Sequence, residues 1–450
     1  MIRESDTFQT SEYADDSAVL RLQACLPQFL SGTLKELSAK SAPTRQQAFV
    51  LLRQAADILQ GGLETSADAI CKAVTQSLKS VDTAATSSLA IAALSFLSTF
   101  FATHHPRVYG SHVESLVNAM TRCMKDKLHR ISAEAFGAAS SLAHTARPKG
   151  TSSPLAVAFT GPIEKLLQAT TEVLGDTTVD TDIRERALET LGDLLVHEGD
   201  ILTQSYPTAL PLIKSRLANE ASASTAMQVI GRIAEAPTCG GQVFEDWLLQ
   251  VLPDVMVALR KSKRSAGKNT EFVCLQHVLY RIASSLPVDT ADALIIELKA
   301  FIETPSALQA VALILEHQPQ CRHTVTEQVL PSIKSMLATP TNNPLLNDAL
   351  AVFCGAYVRG DPNVATSLAT ELVANVKAGT ALPDATAGGT SVSASTARCI
   401  GAVVGAAPQS SSQVLHIFEK SIKVCSSSAY RSALICSHPR PPRLISTLLY

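Results

Sequence analysis

Four helix-forming stretches recur along this 450-residue chain at similar intervals, and that recurrence limits what it can fold into. Pro43-Thr44-Arg45-Gln46-Gln47-Ala48 is followed by Leu52, and Leu89-Ala90-Ile91-Ala92-Ala93 by Leu97. Ile131-Ser132-Ala133-Glu134-Ala135 leads to Ala139, and Ile183-Arg184-Glu185-Arg186-Ala187 to Leu191. The anchoring alanines Ala48, Ala93, Ala135 and Ala187 therefore stand 45, 42 and 52 residues apart. An alanine with Leu or Ala four places on sets two small or apolar groups on one helix face, where a neighbouring helix can approach closely. Apolar residues keep helical spacing elsewhere too, as in Leu20, Cys25, Phe29 and Leu30, in Ile163, Leu166, Leu167 and Thr170, and in Leu188, Leu191, Leu194 and Leu195. Two-residue alternation is hardly seen, and Pro, Gly or Asp/Ser clusters interrupt the pattern at intervals of roughly 20 residues, as helix ends do.

One helical hairpin cannot bury both of its apolar faces, so hairpins that repeat in sequence stack in space and share a core. Two helices in a period of about 40–47 residues indicate an all-α HEAT/armadillo-type α-solenoid, here of about ten hairpins between Ser17 and Leu434. With hydrophobic residues at 46% there is material for such a core, and aromatics at 5% disfavour a fold built on aromatic strands. The expected organisation is a flexible acidic N-terminus over residues 1–16 and a solenoid over 17–436. Long loops are expected at 147–161 and 379–395, and an irregular Pro-rich tail at 437–450. The first loop accounts for the 52-residue spacing, and three prolines between Ser437 and Arg443 rule out a helix in the tail.

Charge excludes some functions. Against 40 acidic residues stand 38 basic ones, net −2, which does not suit a general nucleic-acid binder. The N-terminus holds one basic and five acidic residues with no apolar run, unlike a secretory or transit segment. Ten scattered cysteines without a C-x-x-C pair, and no glycosylation acceptor, suit a reducing compartment, cytoplasmic and nuclear. Thr83 to Thr103 carries no charge but contains eight Ser/Thr residues and ends at His104-His105-Pro106. It is expected to be a helix buried in the array, and no membrane partner is expected.

No motif for chemistry stands out. His104, His105 and His112 flank Pro106 with no Cys or carboxylate at ligand spacing, so a solvated turn is expected there, and likewise at Cys321 and His323. Asp176, Asp180 and Asp182 lack the Gly and closing Glu of a calcium loop, and Asp180 or Asp182 is expected to cap a helix. Phosphate-loop, nucleophile-elbow and H-E-x-x-H motifs do not occur, so neither an enzyme nor a cofactor is expected. The densest charge is Arg260, Lys261, Lys263 and Arg264, with Lys268 after it. These cations suit a helix C-terminus opposing the dipole's negative end. They are also the candidate electrostatic contact for a partner.

Several stretches carry a family resemblance. Ala93-Leu94-Ser95-Phe96-Leu97, His104-His105-Pro106-Arg107-Val108-Tyr109, His112 to Val117 and Lys127-Leu128-His129-Arg130-Ile131-Ser132-Ala133-Glu134-Ala135 are among them. Further ones are Pro43 to Phe49, Arg184-Glu185-Arg186-Ala187, Gly199-Asp200 and Leu259-Arg260-Lys261. In this order they resemble the cullin-associated neddylation-dissociated family, over its middle portion only. The resemblance implies a HEAT-repeat scaffold that wraps a cullin with its RING-box protein, prefers the cullin without its ubiquitin-like modifier, and promotes exchange of substrate-receptor modules in SCF-type complexes. It transfers no individual contact residue. Near Ala433 the helical pattern opened by Ser428-Ala429-Tyr430-Arg431-Ser432 stops, which suggests a change of frame or splice choice and a truncated product. Uncapped end repeats would then expose apolar surface and favour self-association. The alternatives are an importin-type receptor, disfavoured by the near-neutral charge, a phosphatase-type scaffold, disfavoured by the 52-residue spacing, and a helical hydrolase, which no motif supports.

Overall fold

The computed structural model describes residues 16–79, 83–147, 157–261, 269–338, 343–359, 361–379 and 392–422. Among them the chain is all-helical, and twenty helices pack in sequence like an armadillo/HEAT-type solenoid. It divides into two compact units, Met1–Ala258 and Leu259–Tyr450. The first holds α1 (Asp16–Leu37), α2 (Ala42–Ile58), α3 (Ala67–Ser77), α4 (Ala84–Thr103), α5 (Val113–Met124) and α6 (His129–Ala146). It continues with α7 (Val157–Gly175), α8 (Thr181–Glu198), α9 (Tyr206–Leu217) and α10 (Ala223–Glu235), and the boundary falls inside α11 (Gln242–Lys261). The second holds α12 (Asn269–Ile282), α13 (Val288–Leu298), α14 (Pro305–His317), α15 (Arg322–Gln328), α16 (Leu330–Ala338), α17 (Pro344–Val358), α18 (Pro362–Gly379), α19 (Val392–Ala406) and α20 (Ser411–Ile422).

Within each unit the helices form two layers. Second helices stack on second helices, α2 on α4, α4 on α6, α6 on α8 and α8 on α10, then α12 on α14, α14 on α17 and α17 on α19. First helices form the other layer, with α5 on α7 as its closest contact in the first unit. The alanine anchors lie where the sequence period places them. Ala48, Ala93, Ala135 and Ala187 are buried, as are Leu52, Leu97, Ala139 and Leu191 one turn later.

Local signals explain the helix limits. Second helices start on side-chain caps: Ser41 for α2, Thr83 with Thr86 in a capping box for α4, Asp180 for α8, Thr304 for α14 and Asn343 for α17. First helices carry interior prolines, Pro27, Pro162, Pro211 and Pro253, each of which removes one intrahelical N–H donor. Before Pro331 the first helix breaks at Val329 into α15 and α16, because the proline can neither donate to the preceding turn nor clear its carbonyl.

Several expectations meet differences. Residues 157–161 belong to α7 rather than to the expected loop, because Phe159 is buried against Tyr109, edge-on with ring centres 6.1 Å apart. Gly379 ends α18, and 392–395 open α19. The remainder of those two loops, residues 1–15 and the tail 437–450 lie outside the described residues. In α1 only part of the apolar stripe is covered: Leu30 is buried, while Leu20 and Cys25 are exposed. By length and composition α4 could cross a membrane, the one such helix among the described residues. It packs between α2 and α6 and buries Leu94, Phe96, Leu97, Phe100 and Phe101.

The turn after α4 is not solvated at His104, which is 4% exposed. Its Nε2 accepts the Leu63 N–H at 3.1 Å, so the ring proton sits on Nδ1, near Phe100 O at 3.2 Å and Thr103 Oγ1 at 2.9 Å. The ring also lies 4.4 Å from Phe100, at the end of a chain of rings running from Phe49 through Phe96. Desolvation lowers its pKa to about 4. His105 stays exposed and accepts the Arg107 N–H, and His112 pairs with Asp68 at 2.9 Å. Cys321 is likewise buried, whereas His323 is exposed and pairs with Glu327.

Two glycines of the second-helix layer make opposite use of their missing side chain. A methyl group on Gly192 of α8 would lie 2.9 Å from Cγ1 of Val229 on α10, whereas one on Gly137 of α6 meets nothing within 4 Å. Gly192→Leu is expected to destabilise the chain by about 1–3 kcal/mol through overpacking. Gly137→Ala should stabilise it by about 0.5–1 kcal/mol through helix propensity. Chemical denaturation of the full chain reads both.

Candidate functional site

The two layers use their charges differently. Charges on first helices are paired from one repeat to the next: His112 with Asp68, Lys165 with Glu114 at 2.9 Å, Lys125 with Glu172, and Lys214 with Asp254 at 3.6 Å. In the second unit Lys334 pairs with Glu371 at 2.8 Å. Each exposed pair contributes only about 0–1 kcal/mol.

Second helices present a different wall. In the first unit α4 has no charged residue, and its serines meet an arginine of α2 and a serine of α6. Arg53 Nη1 donates to Ser95 Oγ at 3.1 Å, Ser98 and Ser141 share a bond of 2.7 Å, and Ser140 and Thr190 one of 3.1 Å. Ser88, Ala102 and Gly137 are exposed beside these rungs. In the second unit the wall is more apolar. Val273 and Tyr280, two turns apart on α12, are exposed, and so are Leu345 and Val352 on α17. Gln276 Nε2 donates to Gln309 Oε1 at 2.7 Å between α12 and α14, and Arg398 binds Asp348 at 2.7 Å between α17 and α19.

At one end of the first unit's wall the small polar groups give way to ionisable ones. His144 of α6 is half-exposed, lies 3.4 Å from Asp193 of α8, and stacks on His197 with ring centres 4.3 Å apart. Arg232 of α10 also binds Asp193. Burial alone would raise the Asp193 pKa, but hydrogen bonds from His144, Arg232 and Ser140 hold it at about 2. At the end of α6, Arg147 reaches Glu198 at 2.8 Å and Asp200 at 2.6 Å. Glu198 is fully buried, and desolvation, only partly offset by Arg147, pushes its pKa up to about 7.

Of the predicted contact residues, Arg260 and Lys261 form the last turn of α11, as a dipole-opposing pair would. Arg260 already faces Glu297 at 3.6 Å, and Lys261 is exposed. Lys263 and Arg264 lie outside the described residues. The three aspartates divide their work: Asp180 caps α8, and Asp176 ties down the Thr178 turn. Asp176 and Asp180 line an open cleft of about 490 Å³ with Lys125, Lys127, His129 and Glu172, where the turns after α5 and α7 meet. Its lining carries both signs of charge, and the Ser132 hydroxyl donates to Asp126 O at 2.9 Å. Among the described residues no three His, Cys, Asp or Glu side chains group as metal ligands. Sequence reasoning missed the wall residues, although the seven-residue spacing of Val273/Tyr280 and Leu345/Val352 would have marked a surplus apolar stripe on helices whose other face is buried.

Comparison with known proteins gives this wall a context. Residues 61–191, which span α3 to α8, match the family described as "CAND1-like, TPR repeats". Over those residues the chain carries CAND1-like repeats. Cullin-associated NEDD8-dissociated protein 1 of Drosophila melanogaster is 26% identical over 337 residues, 73% of this chain and 26% of that protein. Protein 2 of Mus musculus is 25% identical over 325 residues, 71% of this chain and 26% of its own length. The chain thus spans about a quarter of these relatives. Among solved structures, a chain of the Kap95p–RanGDP structure superposes with a TM-score of 0.64 at 13% identity, covering 94% of this chain and 53% of that one. An engineered protein gives 0.57 at 13% identity, covering 90% and 97%. These two likenesses show the solenoid fold. The 42- to 52-residue anchor spacing of the CAND1-like repeats exceeds the roughly 34 residues of a tetratricopeptide unit and suits the HEAT type.

Two buried groups in the first unit titrate in opposite senses. Glu198 is raised from its ordinary 4.5 to about 7, so its contribution is full below pH 4.5 and is lost as pH rises through 7. His104 is lowered from 6.5 to about 4, so its contribution is present above 6.5 and is lost as pH falls toward 4. Each is worth on the order of 3 kcal/mol, and between pH 4.5 and 6.5 they oppose each other. Thermal unfolding of the Glu198→Gln chain should therefore show a stability loss on acidification below pH 6.5 that the unaltered chain largely masks. The loss of stability above pH 6.5 should disappear.

Proposed function

We propose that the chain is a protein-binding scaffold of the cullin-associated kind, not an enzyme, and that it holds a cullin with its RING-box protein along the second-helix wall. The observation that carries this reading is that the CAND1-like match, residues 61–191, contains α4, a second helix with no charged residue whose rung to α6 is a pair of serine hydroxyls. A protein partner can approach such a surface without stripping water from unpaired charges. The exposed apolar pairs on α12 and α17 supply large side chains of the kind that dominate interface energies. The relatives' names point to a cullin dissociated from NEDD8 as the partner. The task proposed with it is exchange of substrate receptors in cytoplasmic and nuclear ubiquitin ligases.

Pull-down with purified cullin–RING-box complex tests the reading. Unmodified cullin should be retained and modified cullin should not. Tyr280→Asp and Leu345→Asp, both at exposed positions, should each weaken binding about tenfold or more without lowering the unfolding temperature. Lys261→Glu should slow association in a salt-dependent way. Retention of a transport-cycle GTPase in place of the cullin would overturn the reading in favour of an importin-type scaffold.

A further inference from the structure

In the second unit, α17 and α19 come unusually close. A methyl group on Gly355 of α17 would stand 3.5 Å from the Ala402 carbonyl oxygen, 3.6 Å from the Ala402 Cβ and 3.8 Å from the Ala406 Cβ of α19. Directly before Gly355 is Cys354, and three residues before Ala402 is Cys399. Both cysteines are fully buried, at 0% exposure, on helices that pack against each other. Cys399 is the neighbouring group that acts on the Cys354 thiol, raising its pKa. Cys354 and Cys399 are 45 residues apart, one repeat, so they hold equivalent places on neighbouring second helices.

We propose that Cys354 and Cys399 are a latent dithiol that a peroxide oxidant joins into a disulfide, stapling one repeat to the next. The chemistry balances with hydrogen peroxide as the oxidant. One sulfur, as thiolate, attacks a peroxide oxygen; the O–O bond breaks and the departing hydroxide takes up a proton to leave as water. The resulting sulfenic acid is attacked by the second sulfur, the S–O bond breaks, and the second thiol's proton leaves with that oxygen as another water. The two sulfurs lose two electrons in total, and the peroxide gains them. The neighbouring Cys399 and burial both hold Cys354 as the thiol, well above its ordinary range, so the pair is slow to react until the helices part. Once formed, the link closes a 45-residue loop and fixes the spacing of two hairpins otherwise joined by packing and the exposed Arg398–Asp348 pair.

The test is peptide mapping of the folded full chain after prolonged exposure to hydrogen peroxide, with free thiols alkylated before digestion. Exposed Cys25 is the internal clock, since it must be oxidised before the buried pair is scored. The expected result is a Cys354–Cys399 linked peptide that disappears on reduction and is absent from a Cys399→Ser chain treated identically. Hydrogen exchange should then slow across α17 and α19 in the oxidised chain and recover on reduction. Both cysteines remaining alkylatable after Cys25 is consumed would overturn the proposal. So would pairing of either with a different cysteine, or a link that forms only in denaturant. The wild-type mapping stands alone if the serine variant fails to fold.

Discussion

Each hairpin of this chain has two apolar faces and covers only one of them itself, so the interface with the next hairpin is obligatory. The second helices meet that demand with side chains small enough for close approach: Ala48, Ala93, Ala135 and Ala187 in succession, and Gly192 where Val229 presses nearest. Larger groups fill the space between layers, as in the chain of rings from Phe49 through Phe96 and Phe100 to Tyr109. Such ring contacts add about 0.5–1.5 kcal/mol each beyond the area they bury. No single hairpin could assemble that cluster, because its rings come from successive repeats.

Helix ends raise a second demand, since the last carbonyls of a helix have no partner inside it. Here the neighbouring repeat often supplies one. Thr238, after α10, donates to Val196 O at 2.7 Å near the end of α8, and Arg216 of α9 donates to Leu174 O at 2.8 Å near the end of α7. In the second unit Gln318, capping α14, donates to Ala283 O and Leu286 O after α12. Turns with these bonds are fixed to the repeat before them. The first-helix ion pairs run in the same direction, so both layers repeat contacts at about one-repeat spacing. What is left over is the outward face of the second helices, where α4 carries no charge and α12 and α17 leave large apolar side chains exposed.

Much of this was legible in the residues. The alanine spacing reports a geometric necessity that depends on small size alone, and it marked the second helices α2, α4, α6 and α8. Capping by Asp180 was legible because an N-cap is a local event within three residues. The errors came from long-range events. Nothing near His104 in sequence announces the Leu63 N–H, 41 residues earlier, that draws its ring inside. Phe159 looked like part of a Pro/Gly/Ser-rich loop because Tyr109, the ring it packs on, lies in the previous repeat. The wall was missed because an exposed Tyr280 or Val352 looks like a core residue to any periodicity count. Only the packed structure shows which apolar stripe found a cover.

The buried polar groups at the junctions deserve a physical account, because packing alone would favour apolar ones. Repeats that resemble one another can pair in the wrong order, and an array of interchangeable apolar faces would resist this poorly. Each junction here carries different chemistry: a histidine accepting a backbone N–H at His104, an arginine between two carboxylates at Arg147, a threonine donating at Thr238 and an amide donating twice at Gln318. A hairpin docked against the wrong neighbour would bury at least one of these groups without its partner, at a cost of about 1–3 kcal/mol, and more for a charged one. Glu198 carries the largest such risk, being fully enclosed and dependent on Arg147 from the preceding repeat. Removal of Arg147 by misdocking would leave Glu198 to fold only in its protonated form. The order of the hairpins is therefore specified by polar groups whose individual contributions to stability are small or unfavourable, and the apolar stack supplies the stability that lets them remain.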